Sequence, residues 1–393
     1  MIVLISNKLP DLDQDDDRLF AEEMNGQIGE RITLATAQYT PRQEKAANRW
    51  AGARMKEFAR SILFSAHEWR LTPVVDGEEE AFFDGLIKRM KEGGLGARWL
   101  FMIHGAGQPT VGALEQAARL KALHGVNVIL FLWPSWSRVL SLTVLAKMAP
   151  MLIRRAGLTW PKAALALGYG LYEEKMKQYQ QAREKAKTCR TALDAALRMV
   201  EKDFTVKAAM VEGFSISMMA HSLGALVVES MTRDPALTGP GRIFDNVILN
   251  AADVDSEGHA QWASALNIGQ RLYVIQNRYD AALQASRTLA GNPRRLGARL
   301  KGELAENVTA YIDLSPGKGS AARHAFFMMD EKQNREIKNL YTALFTGVAM
   351  FERAREPFAL PGGFRLLEGN HFAMNPPEKE KAFKVNKEGQ TPD

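Results

Sequence analysis

Residues 214–226 read FSISMMAHSLGAL, an apolar run that reaches His221-Ser222-Leu223-Gly224 and passes into a small-residue helical pattern. A serine hydroxyl is a weak nucleophile; it needs a neighbouring base, and the base needs an acid to orient it. Small residues two before and two after such a serine let a strand turn sharply into a helix. Ala220 and Gly224 hold those positions, the alanine one methyl group away from the more usual glycine. His259, His324 and His371 are the histidines that follow. His324, in GSAARHAFF, lies on a Gly/Ser-rich stretch after the last expected strand, where it can reach back over a sheet edge. His371 is the alternative base. Asp280 ends RLYVIQNRYD and also suits the N-cap of a helix through AALQASR. Asp253 and Asp255, one strand earlier, are reserve acids that better suit turns or caps.

An attacked carbonyl develops negative charge on its oxygen and needs preorganised donors. The N–H of Leu223, at the positive end of the helix after the serine, is one candidate. A second should come from the loop after RWLFMIHG, where His104-Gly105-Ala106-Gly107 occurs, because glycine lets backbone approach a substrate without an intervening side chain. His104, Gly105, Gly107, His221 and Trp133 are expected to line the substrate site. Oxyanion loop, second strand, serine, acid after a strand and histidine after the last strand thus come in one chain order.

These groups need a scaffold that gathers strand ends. Residues 2–6 (IVLIS) and 31–39 read as strands, 42–65 as a helix, and 77–92 as a helix that starts with acids and stops at Gly93-Gly94. From residue 98 a regular alternation begins. Strands are expected at 98–105, 126–136, 214–222, 244–255, 271–280 and 307–315, and helices at 111–123, 224–231 and 331–350. Short apolar strands alternating with helices predict an α/β fold with a mostly parallel central sheet covered on both faces. Residues 138–205 break the rhythm as helix only, an inserted cap. One domain over 1–375 and a Lys/Glu/Pro-rich tail at 376–393 complete the expectation.

Composition narrows the function. With 46% hydrophobic and 24% charged residues, the 393-residue chain has ample core material and is not extensively disordered. The net charge of +6 admits an anionic partner. Zinc-finger spacing, an RNA-binding aromatic signature and a long Lys/Arg run are all missing, so nucleic acid is not expected. Neither is a metal or another cofactor, since no HExxH or comparable ligand spacing occurs. Cys189 is the only cysteine, which excludes an intrachain disulfide and predicts a reducing, cytoplasmic setting and a spectator thiol. MIVLIS reads as a first strand and not as a signal peptide. No run of 18 uncharged apolar residues predicts a spanning helix. Residues 138–170 are apolar and basic without an acid. A cap over the site, a partner surface and an interfacial membrane contact all fit that pattern.

The segments MIHGAGQ (102–108), FLWPSW (131–136), MAHSLGA (219–225), LNAADVD (249–255), NRYDAALQASRTLAG (277–291) and RHAFF (323–327) resemble the α/β-hydrolase superfamily. Within it they are similar to a bacterial esterase-like branch that carries AHS-x-G. The resemblance covers roughly residues 98–350 and implies Ser222 as nucleophile, Asp280 as acid and His324 as base. The amides of Ala106 and Leu223 would form the oxyanion hole. It implies cleavage of carboxylic esters, esterase- or lipase-like, of a small-molecule or lipid substrate. A phospholipase-type enzyme at a membrane surface and a non-catalytic scaffold that binds a ligand or partner are the alternatives.

Overall fold

The computed structural model describes residues 1–8, 10–16, 18–20, 32–41, 67–135, 176–237, 239–291, 293–320, 323–351 and 363–376. The helix expected at 42–65, the apolar basic segment 138–170 and residues 377–393 of the expected tail lie outside the described residues.

Among the described residues, eleven strands form one sheet: β1 (Ile2–Ser6), β2 (Thr33–Pro41), β3 (His67–Pro73), β4 (Arg98–Ile103), β5 (Asn127–Leu132), β6 (Ser215–His221), β7 (Phe244–Asn250), β8 (Gly269–Gln276), β9 (Val308–Asp313), β10 (Phe364–Glu368) and β11 (His371–Met374). Their order is β10-β11-β9-β8-β7-β6-β4-β5-β1-β2-β3. From β11 to β1 every neighbouring pair is parallel, whereas β2, β3 and β10 join by antiparallel pairing at the two edges. The fold is therefore α/β with a mixed, mostly parallel sheet, as the alternation predicts. Sequence reading missed β3 (HEWRLTP) and the β10–β11 hairpin. Each lies at or next to a sheet edge, where one solvated side weakens the apolar signal that marks central strands.

Helices α1 (Glu79–Lys91), α2 (Thr110–His124), α3 (Arg190–Met199), α4 (Gly224–Arg233), α5 (His259–Ala265), α6 (Ala281–Leu289) and α7 (Glu331–Phe345) flank the sheet. The apolar run of β4 serves two cores at once. Trp99, Phe101 and Ile103 enter one cluster, while Leu100 and Met102 enter the cluster on the opposite face. A strand covered on both sides reads as continuously hydrophobic for that reason.

Between β5 and β6 the chain leaves the sheet, and the described part of this insertion is helical. Residues 176–188 are followed by α3 and a π-helical turn, Val200–Thr205. Cys189 is fully buried between the two helical stretches, and Asn7 donates to its sulfur at 3.2 Å. Burial pushes the thiol up to about 12, so it stays protonated and inert. Phe204 fastens the end of the insertion to the sheet, its ring 4.9 Å from Trp99, 5.3 Å from Phe83 and 5.7 Å from Phe214.

Replacing this fully buried ring should remove both transfer energy and packing. Phe204→Ala is expected to lower unfolding free energy by about 3–5 kcal/mol, read from urea titration. A loss under about 1 kcal/mol would mean that the turn is not packed as described.

Candidate active site

Strand order places the chemistry. From β4 the chain proceeds outward to β5, then returns to the other side of β4 as β6. The loops leaving β4 and β6 therefore diverge at the carboxyl ends of two adjacent parallel strands, the switch point where open α/β sheets form their crevices. Ile103 is level with Ala220, so His104-Gly105-Ala106-Gly107 and Ser222 emerge side by side.

Ser222 stands between β6 and α4 with φ of 56°, in the left-handed region that a non-glycine residue rarely enters. Backbone bonds hold it there. Its N–H donates to Asn250 O at 3.0 Å, and its carbonyl accepts from Ala225 at 3.1 Å and Asp253 at 3.0 Å. Two close approaches surround it. A Cβ on Gly224 would sit 2.7 Å from the His104 carbonyl oxygen and 2.8 Å from that of Ile103. A Cβ on Gly105 would sit 2.9 Å from Ser222 Cβ. Both glycines are needed because a strand end and an elbow share one space. Ala220 is fully buried, and its methyl group packs in the core.

The β4 loop is fastened to the end of β5. Trp133 Nε1 donates to His104 O at 2.8 Å, and the two rings stack at 5.5 Å. Gly107 N–H donates to Ser135 O at 3.1 Å, and Ser135 Oγ donates to Gln108 O at 3.3 Å. His104 and Trp133 are fully buried, so they support the loop from behind; Gly105 lies against Ser222, and Gly107 is exposed. The amides of Ala106 and Leu223 donate no hydrogen bond among the described residues. They remain available to an oxygen.

Asp280 is fully buried and uses both carboxylate oxygens. Oδ1 caps α6 by accepting from Leu283 N–H at 3.0 Å, and Oδ2 is 2.7 Å from His324 Nδ1. The cap and the imidazole partner are one residue, because a carboxylate has acceptor capacity for both. With Nδ1 on the carboxylate, the other ring nitrogen of His324 is left to handle a proton.

Asn277, which sequence reading missed, joins the loops of Asp280 and His324. Its amide nitrogen donates to Ser320 O and Arg323 O, both at 3.0 Å, and its Oδ1 accepts from Tyr279 N–H at 3.1 Å. An asparagine just past a strand looks like any turn residue, so its reach of more than forty residues leaves no local signal.

Several of the other titratable groups have partners among the described residues. His259 bonds Ser256 O at 2.7 Å and Tyr311 Oη at 2.8 Å. His371 starts β11, next to the edge strand β10 and level with Tyr311, and the histidine bonded to Asp280 is His324. Asp253 accepts from Ser286 Oγ at 2.6 Å and from Tyr179 Oη at 3.1 Å, and lies 3.1 Å from Arg295 Nε. Asp255 pairs with the same arginine. These reserve acids tie the insertion, through Tyr179, to the loops at the sheet's edge. His221 is buried; Asn250 Nδ2 donates to its Nδ1 at 2.9 Å, and its ring centre lies 4.6 Å from that of His324. Tyr341 Oη donates to Asn250 Oδ1 behind it. Burial foremost, then the neighbouring His324, holds His221 well below the usual imidazole range. Ser222 is 8% exposed, and its Oγ makes no hydrogen bond among the described residues.

Among the described residues, no cluster of three or more His, Cys, Asp or Glu could hold a metal ion. No helix among them is long and apolar enough to cross a membrane.

The family model described as "Alpha/beta hydrolase of unknown function (DUF900)" matches residues 95–328, from the residues before β4 to the turn that follows His324. No curated protein and no solved structure matches the chain.

Burial pulls the His104 imidazole down to about 3. The unfolded chain takes up that proton near its ordinary value of 6.5, while the folded chain refuses it until about 3. Stability is therefore lost as pH falls below about 6.5, by at most about 1.4 kcal/mol per pH unit for one imidazole. His104→Gln should flatten this slope between pH 6.5 and 4, measured as urea midpoints. An unchanged slope would show that His104 titrates normally.

Proposed function

The chain belongs to the α/β-hydrolase family of unknown function whose model spans residues 95–328, and on that premise we propose that it is a serine hydrolase cleaving carboxylic esters. One observation carries the reading. Ser222 sits in a left-handed elbow with Gly105 packed against its side chain, while the His324–Asp280 pair comes from two other loops. Backbone strain at a polar residue at the mouth of a sheet is characteristic of a position kept for chemistry.

In this reading the free ring nitrogen of His324 takes the Ser222 Oγ proton as the oxygen attacks the ester carbonyl carbon. The carbonyl π electrons move to oxygen, where the N–H groups of Ala106 and Leu223 meet the charge. Collapse of the adduct breaks the bond to the alcohol oxygen, and the imidazolium returns its proton to that leaving group. Water, deprotonated by the same imidazole, then attacks the acyl-serine and releases the acid. Asp280 holds the imidazole by Nδ1 and stabilises its cation, remaining ionised throughout. His221, kept neutral by burial, adds no charge to repel the imidazolium.

Within the family, the AHS-x-G motif at 220–224 supports an esterase-like member acting on a small-molecule or lipid ester. Cys189, buried and protonated, is compatible with work in the cytoplasm.

Ser222→Ala is expected to abolish labelling by a fluorophosphonate probe and to reduce turnover of short p-nitrophenyl esters at least about a thousandfold. Asp280→Asn should reduce turnover by about four orders of magnitude while the serine stays in place. Labelling that persists in Ser222→Ala would remove Ser222 from its role.

A further inference from the structure

The turn before Asp280, helix α6 and the loop after it bring together a second feature that ester cleavage does not use. Arg278, Arg287, Arg294, Arg295 and Arg299 line one cavity of about 250 Å³, and no Asp or Glu lines it. Two of these arginines are neutralised from behind. Arg278 pairs with Asp313 at 2.8 Å, and the fully buried Arg295 pairs with Asp253 and Asp255. Arg287, Arg294 and Arg299 form no ion pair among the described residues. Glu257, in the adjoining cavity that shares Arg287 and Arg294, is held by Lys301.

Gathering guanidinium groups that form no ion pair around one concavity is unfavourable by itself, since like charges repel. Arg287 sharpens the point: its Nε is buried and has no hydrogen-bond partner among the described residues. A buried donor left unpaired carries its full desolvation cost. What would offset both is an acceptor-only group with several oxygens and more than one charge. A carboxylate offers two oxygens to one guanidinium fork, whereas a phosphate monoester or free phosphate presents three or four to several. Tyr279, half exposed at the same cavity, has the Arg278 guanidinium 5.8 Å from its ring centre and offers an aromatic face to an organic portion.

We propose that this cavity is a phosphate-binding site, with Arg287, Arg294 and Arg299 as its anion ligands and the two paired arginines as fixed walls. It shares the first turn of α6 with Asp280: Leu283, whose N–H donates to the capping Asp280 carboxylate, is one of the lining residues. A phosphate seated there is anchored to the helix that carries Asp280. The site stands on its own lining and does not rest on the chemistry read at Ser222.

Calorimetric titration of the full chain with sodium phosphate, against sodium chloride at matched ionic strength, tests it directly. Arg294 and Arg299 are exposed, so Arg294→Gln/Arg299→Gln leaves the core untouched. Wild type is expected to bind phosphate saturably, and the double variant to bind at least about tenfold more weakly. Co-sedimentation with phosphatidylcholine vesicles, with and without phosphatidic acid, separates the two sources of the group. Arginine-dependent capture by the phosphatidic acid vesicles makes the group a lipid headgroup; saturable phosphate binding without capture makes it a soluble ligand. The proposal is overturned if wild type shows neither, or if the double variant binds as wild type does.

Discussion

The site is organised by a shortage of space between β4 and β6. These strands are parallel neighbours, and their carboxyl ends deliver the His104–Gly107 loop and Ser222 to the same few ångströms. For α4 to start there, the carbonyls of Ile103 and His104 must lie where a side chain on Gly224 would be. For the loop to lie against the serine, Gly105 must also lack one. Ser222 itself is driven into the left-handed region, at a cost of about 1–3 kcal/mol. Backbone bonds to Asn250, Asp253 and Ala225 sustain it. A strained serine and two obligatory glycines are thus consequences of one close approach.

The rest of the site depends on how polar groups are satisfied away from water. A buried carboxylate is tolerable only when its oxygens are engaged, and Asp280 meets that condition by capping α6 and holding His324. The same requirement gives Asn277 its bonds to the histidine loop, and it gives Asn250 its place between Tyr341 and His221. Each of these links joins segments remote in sequence: Asn277 ties two loops together, and Asn250 ties the ends of β6 and β7 to α7. Arg295 does similar work on the other side, binding Asp253 and Asp255 beneath the insertion. Its neighbours Arg287, Arg294 and Arg299 form no such ion pair among the described residues, and that contrast marks the cavity as a place for an anion from outside.

How much was readable in advance varies with the range of the cause. The central strands and their flanking helices are legible because burial on both faces writes a continuous apolar run, as in RWLFMI and NVILFL, and helices write their own period. Edge strands β3 and β10 escape because solvated positions interrupt that run. Ser222 at a sharp turn and the glycines packed beside it are legible too, since turns are local properties.

Which histidine meets which acid is not local. His324 and His371 both follow Ser222, and Asp253 is as acidic on paper as Asp280. The choice is made by strand order and by which carboxylate already has an arginine: Asp253 is taken by Arg295, and Asp280 is bonded to His324. Burial likewise turned His104 and Trp133 from expected substrate contacts into supports of the loop. By itself the sequence determined an α/β sheet and a serine set at a turn between small residues. Only the tertiary structure decided the partners of that serine's neighbours and the company of the unpaired arginines, because hydrogen bonds and charges are satisfied across space and leave no periodic trace along the chain.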